Sequence, residues 1–255
     1  NVFSDVGQLR GGADQAGTNP WWADLTYQIN KGSDGSLAVL WLKAFNIRYV
    51  VVDYPNATTP YKDYLYPRKF EGLLPERYSY EFFKIFEVPL ANSRLVQVVN
   101  STAAANLKPI QDIFDDSNLL PYLAMIEQPA DVARSEYWIE SADKIIINVQ
   151  HSTRECAVLV KMTYDERWRA YLDGKEMQVR PVGPSFMLIN IGNVEGQRLE
   201  LTCQRTASEV VGISLTGIAI IFLSVLSLHR RMSKARRSRS NVDAYDEISR
   251  ENLSK

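Results

Sequence analysis

An uncharged apolar segment near the end of the chain constrains its fold more than any other feature. Val210 to Leu228 runs for 19 residues without a charged side chain, and six Lys or Arg residues follow between Arg230 and Arg239. A helix of this length reaches about 28 Å, close to the roughly 30 Å thickness of a bilayer's hydrocarbon core. We therefore predict a transmembrane helix over 206–229. A buried core helix is the alternative, but core helices seldom run this far without a charge.

The basic cluster also predicts the orientation of this helix. Lys and Arg accumulate on the cytoplasmic side of a span, and its N-terminal flank offers only Arg205 and Glu209. Residues 230–255 then form a basic, disordered cytoplasmic tail that contacts anionic membrane lipid. The region before the span faces outward, so the expected location is the cell membrane with an extracytoplasmic N-terminal region.

The start of the sequence bears on how this outer region reaches its place. Asn1 is not a Met, and no basic and apolar signal-peptide pattern precedes the folded region. An outward-facing region must be exported. We expect either that a signal has been removed or that the chain is the C-terminal piece of a longer membrane protein.

Composition and charge limit the chemistry of the outer region. The chain is 45% hydrophobic with a formal net charge of −1, which gives no electrostatic footprint for nucleic acid. Only two histidines occur, so no metal site is expected, and only His151 could serve a Ser-His or Cys-His pair. We interpret the acidic residues near turns as solvated surface groups. We assign no catalytic residue and no cofactor. The acidic residues in question are Asp115, Asp116, Asp143, Asp165 and Glu166.

The sequence contains acceptor residues for two covalent modifications that occur on the outer side of a membrane, a disulfide and N-glycosylation. Cys156 and Cys203 each lie at one end of an apolar strand-like run, and either a disulfide between them or two buried thiols fits this pattern. Asn56 and Asn100 both begin the Asn-x-Thr/Ser-type acceptor pattern for N-glycosylation.

Residues 1–130 read as a small α/β domain with long loops. A Gly-rich segment over 5–20 leads into an amphipathic stretch, and Ser36 is placed to cap a helix over 37–45. A β-branched strand over 47–52 follows that helix, and a Tyr- and Pro-rich segment over 54–80 reads as a loop. Further elements are predicted as strands over 82–88 and 95–99 and as a helix over 107–127 broken at Pro121.

The sequence pattern of residues 131–205 predicts an antiparallel, jelly-roll-like β-sandwich. Short apolar strands alternate with turns, and Asp173-Gly174 between two strands indicates a type I′ hairpin. The predicted strands cover 144–149, 156–162, 168–172, 176–179, 186–191 and 198–203. The predicted fold class is therefore α+β, with a small α/β domain, an antiparallel sandwich and one C-terminal transmembrane helix.

Three tryptophans are the candidate ligand-binding residues. Trp21 and Trp22 stand at a loop-to-helix junction, where indole rings either stack on a sugar or anchor the packing. Trp168 and Tyr171 lie three apart in a strand, so they face opposite sides of it. One of the two is then a core residue, and the other is available to a ligand or to lipid headgroups.

Two segments resemble a family of polytopic membrane proteins. The chain has Trp168, Ala170 and Asp173-Gly174-Lys175 between two strands, then Pro184 and Gly192 before a last strand and the span. This order resembles the "W-x-A-x-x-D-G-K" hairpin of the C-terminal outer domain of the YfhO family. The segment LAVLWLKAFNIRYVVVD over 37–53 is similar to that family's "L-x-x-L-N-V-x-Y-V-V" element. Bacterial and archaeal relatives labelled as related to 6-pyruvoyl-tetrahydropterin synthase have a similar layout.

The resemblance implies an upstream bundle of membrane helices like that of the C-type glycosyltransferases. Those enzymes take a sugar from a lipid-phosphate carrier and hold their catalytic carboxylate in an early outer loop, which no residue of this chain matches. We therefore expect an accessory, extracytoplasmic portion of such a protein, with a glycan or a polyprenyl-phosphate sugar as partner of the whole. The alternative hypothesis is a single-span cell-surface module that binds carbohydrate or protein and has no enzymatic activity.

Overall fold

A computed structural model describes residues 19–58, 63–108, 110, 112–114, 116–128, 133–150, 152–194 and 196–227. The chain divides into two compact units, residues 1–204 and residues 205–255. The predicted α+β class is confirmed, with helices, several antiparallel sheets and an apolar C-terminal helix. The Gly-rich segment before residue 19 and the basic tail lie outside the described residues.

Four helices belong to the first unit. They are α1 (Trp22–Asn30), α2 (Gly35–Ala44), α3 (Ser101–Ala105) and α4 (Asp116–Ile126). Asp34, and not Ser36, caps α2, because its carboxylate accepts hydrogen bonds from the backbone of Ser36 at 2.8 Å and of Leu37 at 3.1 Å. Helix α4 continues through Pro121 instead of breaking there.

A small three-stranded sheet follows α2. Its strands are β1 (Tyr49–Asp53), β2 (Glu76–Ser79) and β3 (Phe83–Glu87), and they are arranged in the order β1-β3-β2. One face of this sheet buries Val50, Val52 and Phe86 in a core that also contains Phe70 and Leu42. Strand β2 lies within the segment that the sequence indicates as a loop.

Nine further strands form two antiparallel sheets that pack as a β-sandwich. They are β4 (Val96–Asn100), β5 (Ser135–Ser141), β6 (Lys144–Val149), β7 (Ser152–Thr163), β8 (Trp168–Leu172), β9 (Lys175–Met177), β10 (Val179–Val182), β11 (Phe186–Val194) and β12 (Gln197–Cys203). The four-stranded sheet has the order β10-β11-β7-β4, and the five-stranded sheet has the order β5-β6-β12-β8-β9. Strand β4 belongs to this sandwich although it precedes residue 130. The predicted hairpin is present, because Asp173 and Gly174 have φ angles of 47° and 84°.

The four-stranded sheet is buried on both faces. Val158 and Val160 of β7 enter the core between the two sheets, whereas Ala157 and Leu159 enter a second core with α1, α2 and α4. A strand covered on both faces is apolar along its whole length, as β7 is from Cys156 to Val160. The five-stranded sheet buries one face in the first core, so its other face is the broad strand surface available to a ligand.

The second unit contains the apolar helix α5 (Ala207–Ser227), which is long and apolar enough to cross a membrane. Three of its hydroxyl groups find partners within the helix. Ser214, Thr216 and Ser224 each donate to the carbonyl oxygen four residues earlier, at 2.8 Å. Such internal pairing is what hydrocarbon surroundings require of polar groups.

Candidate functional site

The outer face of the five-stranded sheet carries two aromatic side chains in one row. Residues paired across neighbouring strands point to the same side, so the register places Trp138, Ile146, Glu200, Tyr171 and Glu176 side by side across all five strands. The alternate residues of β6, β12 and β8 point into the core. Trp138 is 43% exposed, and Tyr171 is half-buried.

The two rings are separated by the width of three strand spacings, which is about 14 Å. Ile146 lies between them on the Trp138 side and is fully buried, so neighbouring side chains cover it. Glu200 lies on the Tyr171 side and is directly paired with Tyr171 in register. The row therefore presents two aromatic rings with Ile146 and the Glu200 carboxylate between them, and Glu176 follows Tyr171 at the β9 edge.

The charged side chains of this face form ion pairs with one another. The Lys144 ammonium lies 2.9 Å from a carboxylate oxygen of Glu140 and 3.4 Å from one of Glu200. Glu200 also lies 3.0 Å from the Arg198 guanidinium. The hydrogen bond to Glu140 raises the pKa of Lys144, so the ammonium stays charged at neutral pH. These pairs fix the polar groups around the row in a defined geometry.

This combination of groups suits a carbohydrate. The faces of pyranose rings carry C–H groups that stack on indole and phenol rings, and their rims carry hydroxyls that pair with carboxylate, guanidinium and amide groups. Charged side chains that are already paired lose less freedom on binding. A sheet face with two separated rings matches an extended oligosaccharide better than a compact ligand, which prefers a concave pocket.

Trp21 and Trp22, the first candidates from the sequence, are partly buried and pack against the helical core. The ring of Trp21 is tilted on that of Trp41 with 5.9 Å between centroids, and both candidates pack against the buried cluster around α1, α2 and α4. They occupy the position of packing anchors, which is the alternative to stacking on a sugar.

Trp168 is only 7% exposed and lies in the core between the two sheets. Strand β8 alternates between buried and half-buried residues, so Tyr171 faces the opposite side from Trp168. The prediction that these two residues face opposite sides is confirmed, and Tyr171 is the one that reaches the outer face. Trp138 was not singled out from the sequence, because nothing in the segment SEYWIES indicates which side of an edge strand is solvated.

Cys156 and Cys203 lie on different sheets of the sandwich, in β7 and β12. Cys156 is a buried free thiol whose Sγ donates toward the Arg154 carbonyl oxygen at 3.0 Å and the Ser152 Oγ at 3.3 Å. The structure has Cys156 as a free thiol, and a disulfide between the two residues stays a prediction.

The two glycan acceptor positions are both exposed, with their side chains engaged. The Asn56 amide donates to the Glu81 carbonyl oxygen at 2.7 Å. Asn100 caps α3, since its Oδ1 accepts from the Ala103 backbone at 3.1 Å. Occupancy of both acceptor positions stays a prediction.

Within the described part of the chain, no group of three or more His, Cys, Asp or Glu side chains is placed to hold a metal ion. Asp165 pairs with Arg167 at 2.9 Å, and this hydrogen bond lowers the pKa of the carboxyl group. A carboxylate held in its charged form this way suits a structural role in the turn before β8.

Comparisons with protein-family models, with curated proteins and with solved structures give no match for this chain. The outer face of the five-stranded sheet and helix α5 are the features of the chain that bear on its function.

Proposed function

We propose that the chain is a membrane-anchored region that binds a glycan on the outer face of its five-stranded sheet. In this proposal it is the extracytoplasmic C-terminal portion of an integral membrane protein resembling the lipid-linked-sugar glycosyltransferases. It serves such an enzyme as an accessory part that holds the acceptor glycan. Chemistry on the sugar belongs to residues outside this chain.

One observation carries the proposal. Trp138 and Tyr171 belong to the same row of one sheet face, and Ile146 and Glu200 lie between them. Aromatic rings at this spacing offer two stacking platforms, and the ion-paired side chains around them offer hydrogen-bond partners for hydroxyls.

Helix α5 supports the membrane anchoring. It spans 21 residues of high hydropathy, and three of its hydroxyl groups are paired with its own backbone. The basic residues that follow it favour a cytoplasmic C-terminus.

The test uses the intrinsic fluorescence of the full chain in detergent micelles. Oligosaccharides released from cell-envelope polysaccharide are titrated, and stacking on the exposed Trp138 ring is expected to shift the emission to shorter wavelength. The variant Trp138→Phe should lose the spectral change and retain weaker binding, because a phenyl ring still stacks. A saturable spectral change that persists in Trp138→Ala would refute the site.

Tyr27→Ala is the matched control for this experiment. Tyr27 is an exposed aromatic residue of α1, away from the five-stranded sheet. Its removal changes the aromatic content of the surface and leaves the proposed row intact, so binding should be unaltered.

The second candidate is a single-span surface module that binds carbohydrate or protein without an attached enzyme. The exposed tyrosines of the small sheet, Tyr49 and Tyr78, favour it, because tyrosine is enriched at protein interfaces. An antibody against residues 133–204 distinguishes the two candidates by detecting the protein in native membranes, where its number of membrane spans is then determined. A polytopic protein supports the glycosyltransferase-like assembly, and a single-span protein supports the surface module.

A further inference from the structure

Among the residues that the structure describes, no helix or strand covers one face of the small sheet. Side chains alternate along β1, so Val50 and Val52 enter the core while Tyr49, Val51 and Asp53 point to the other side. The register adds Ile85, Phe83 and Glu87 of β3 and Tyr78 of β2 to this side. We call this surface the aromatic face. Val51 is 52% exposed and Tyr78 is 50% exposed, which is unusual for apolar and aromatic residues in a sheet.

The rings of the aromatic face are packed against one another. Tyr78 and Phe83 have centroids 5.7 Å apart, and Tyr80 lies 6.0 Å from Phe83 and 5.8 Å from Phe82. Rings that are already ordered lose little freedom on association, and tyrosine is enriched among the residues that dominate protein interfaces.

One backbone oxygen on the β1 edge of the small sheet already has a partner. The Tyr64 hydroxyl donates to the Val51 carbonyl oxygen at 2.7 Å, and this oxygen points away from β3. This hydrogen bond competes with the pairing of a further strand at β1.

Charge is distributed unevenly along the aromatic face. At one end, Arg48 and Arg77 share the single carboxylate of Glu87, which leaves one net positive charge. The Arg48 guanidinium also lies 5.4 Å from the centroid of the Tyr49 ring. Asp53 lies at the other end, about 13 Å from Tyr49 along β1.

A second acidic group lies near Asp53. The pKa of Asp53 is raised by partial burial and by the nearby negative charge of Asp63. The aromatic face thus has a positive end, an apolar middle row of Val51, Ile85 and Tyr78, and an acidic end.

We propose that the aromatic face docks on the aromatic face of a second copy of this chain. A two-fold axis relates the two copies. This axis lies in the interface, runs perpendicular to the strands and passes over the middle row, so the strands of the second copy run in the opposite direction. The Arg48 end of each copy then meets the Asp53 end of the other, and the apolar rows meet each other. Such self-complementarity is what a symmetric dimer needs. This inference is independent of glycan binding by the five-stranded sheet.

The test reconstitutes full-length donor- and acceptor-labelled copies in lipid vesicles and measures energy transfer as the protein is diluted in lipid. Arg48→Glu and Asp53→Arg each place like charges opposite each other and should weaken association by about tenfold or more. An equimolar mixture of the two variants should restore transfer, because each reversed charge then faces its opposite. Helix α5 is the same in every sample, so a contribution from the span cancels.

Two controls keep the outcome clear. Arg154→Glu reverses an exposed charge on β7 and should leave transfer unchanged. Tyr80→Ser removes an exposed ring from the aromatic face without altering charge and should weaken association. Copies that stay monomeric at every dilution, single reversals without effect, or a mixture that fails to recover would each overturn the proposal. Copies that stay monomeric would indicate that the aromatic face binds a different partner.

Discussion

Trp138 and Tyr171 point to the same side of the five-stranded sheet, three strands apart in one row of paired residues. The strand pairing alone creates this relationship, since the two residues are 33 positions apart in the chain. It turns an edge-strand tryptophan and a residue of the β8 hairpin into the two ends of one surface. The predictions below test the stability of the fold, the membrane anchor and this surface.

The close packing of Gly183 against Tyr122 predicts a large effect of one methyl group. A Cβ added at Gly183 would lie 2.5–2.6 Å from the buried Tyr122 ring, and its φ of +55° is unfavourable for other residues. We expect Gly183→Ala to lower the free energy of unfolding by about 2–4 kcal/mol, from overpacking and backbone strain together. Denaturant unfolding followed by near-ultraviolet circular dichroism measures it.

Gly174→Ala is the control for that substitution. Gly174 has a φ of +84° but nothing within 4 Å of an added Cβ, so only the backbone cost applies. The expected loss is about 1 kcal/mol. Equal losses at the two glycines would show that the contact with Tyr122 does not matter.

Lys69 predicts a pH dependence of stability. Its ammonium donates to the backbone carbonyl of Gln28 and, at 2.8 Å, to that of Gly32 at the end of α1. Partial burial lowers the pKa of Lys69 to about 8 from 10.5. Between these values the unfolded chain binds more protons than the folded chain, so stability should rise as pH increases from about 8 to 10.5.

Urea unfolding of the full chain in detergent, repeated across this pH range, measures the effect. The variant Lys69→Met keeps the length of the side chain and removes the titrating group, so its stability should lack this rise. A parallel rise in the wild type and in Lys69→Met would assign the pH dependence to another group.

Helix α5 predicts that one charge disrupts anchoring. Ile221 lies in the second half of the apolar helix and is exposed along it. An arginine near the centre of a span costs about 2.5–3.5 kcal/mol on insertion. Ile221→Arg should therefore shift the chain from the carbonate-resistant membrane fraction to the soluble fraction, whereas Ile221→Leu should not. Unchanged membrane retention of Ile221→Arg would argue against a span.

The thiol at Cys156 predicts the outcome of alkylation. Its sulfur is buried and paired with Ser152 and Arg154, so a maleimide reagent should react with it slowly in the folded protein. In denaturant without reductant the same thiol should react fully, as read by mass spectrometry of the modified peptide. A Cys156 that reacts only after reduction would demonstrate a disulfide.

Much of the fold could be predicted where burial leaves a periodic pattern. The strands of the sandwich core and the span are apolar for physical reasons that act along the chain itself, and α2, β1 and β3 were expected within a few residues of their observed positions. Strand β2 was missed because all four of its residues are exposed, so no alternation marks it. Strand β5 was missed for the same reason, since only Ser135 is buried.

The candidate site was harder to predict because it depends on register between distant strands. The sequence drew attention to Trp21, Trp22 and Trp168, whose rings turn out to pack in the two cores. Whether a tryptophan faces solvent is decided by what covers its side of the sheet, and that is a property of tertiary structure. The one local signal that held was the spacing of Trp168 and Tyr171, which put Tyr171 on the outer side.

The most direct test of the central claim is the affinity of the full chain for envelope oligosaccharides of increasing length, compared among wild type, Trp138→Ala and Tyr171→Ala by titration calorimetry. The account predicts that affinity rises with length until a chain spans both rings. It predicts that each substitution weakens binding of the long oligosaccharides by about tenfold, the equivalent of about 1.4 kcal/mol. If both variants bind the long oligosaccharides as the wild type and Tyr27→Ala do, the outer face of the five-stranded sheet is not the glycan site.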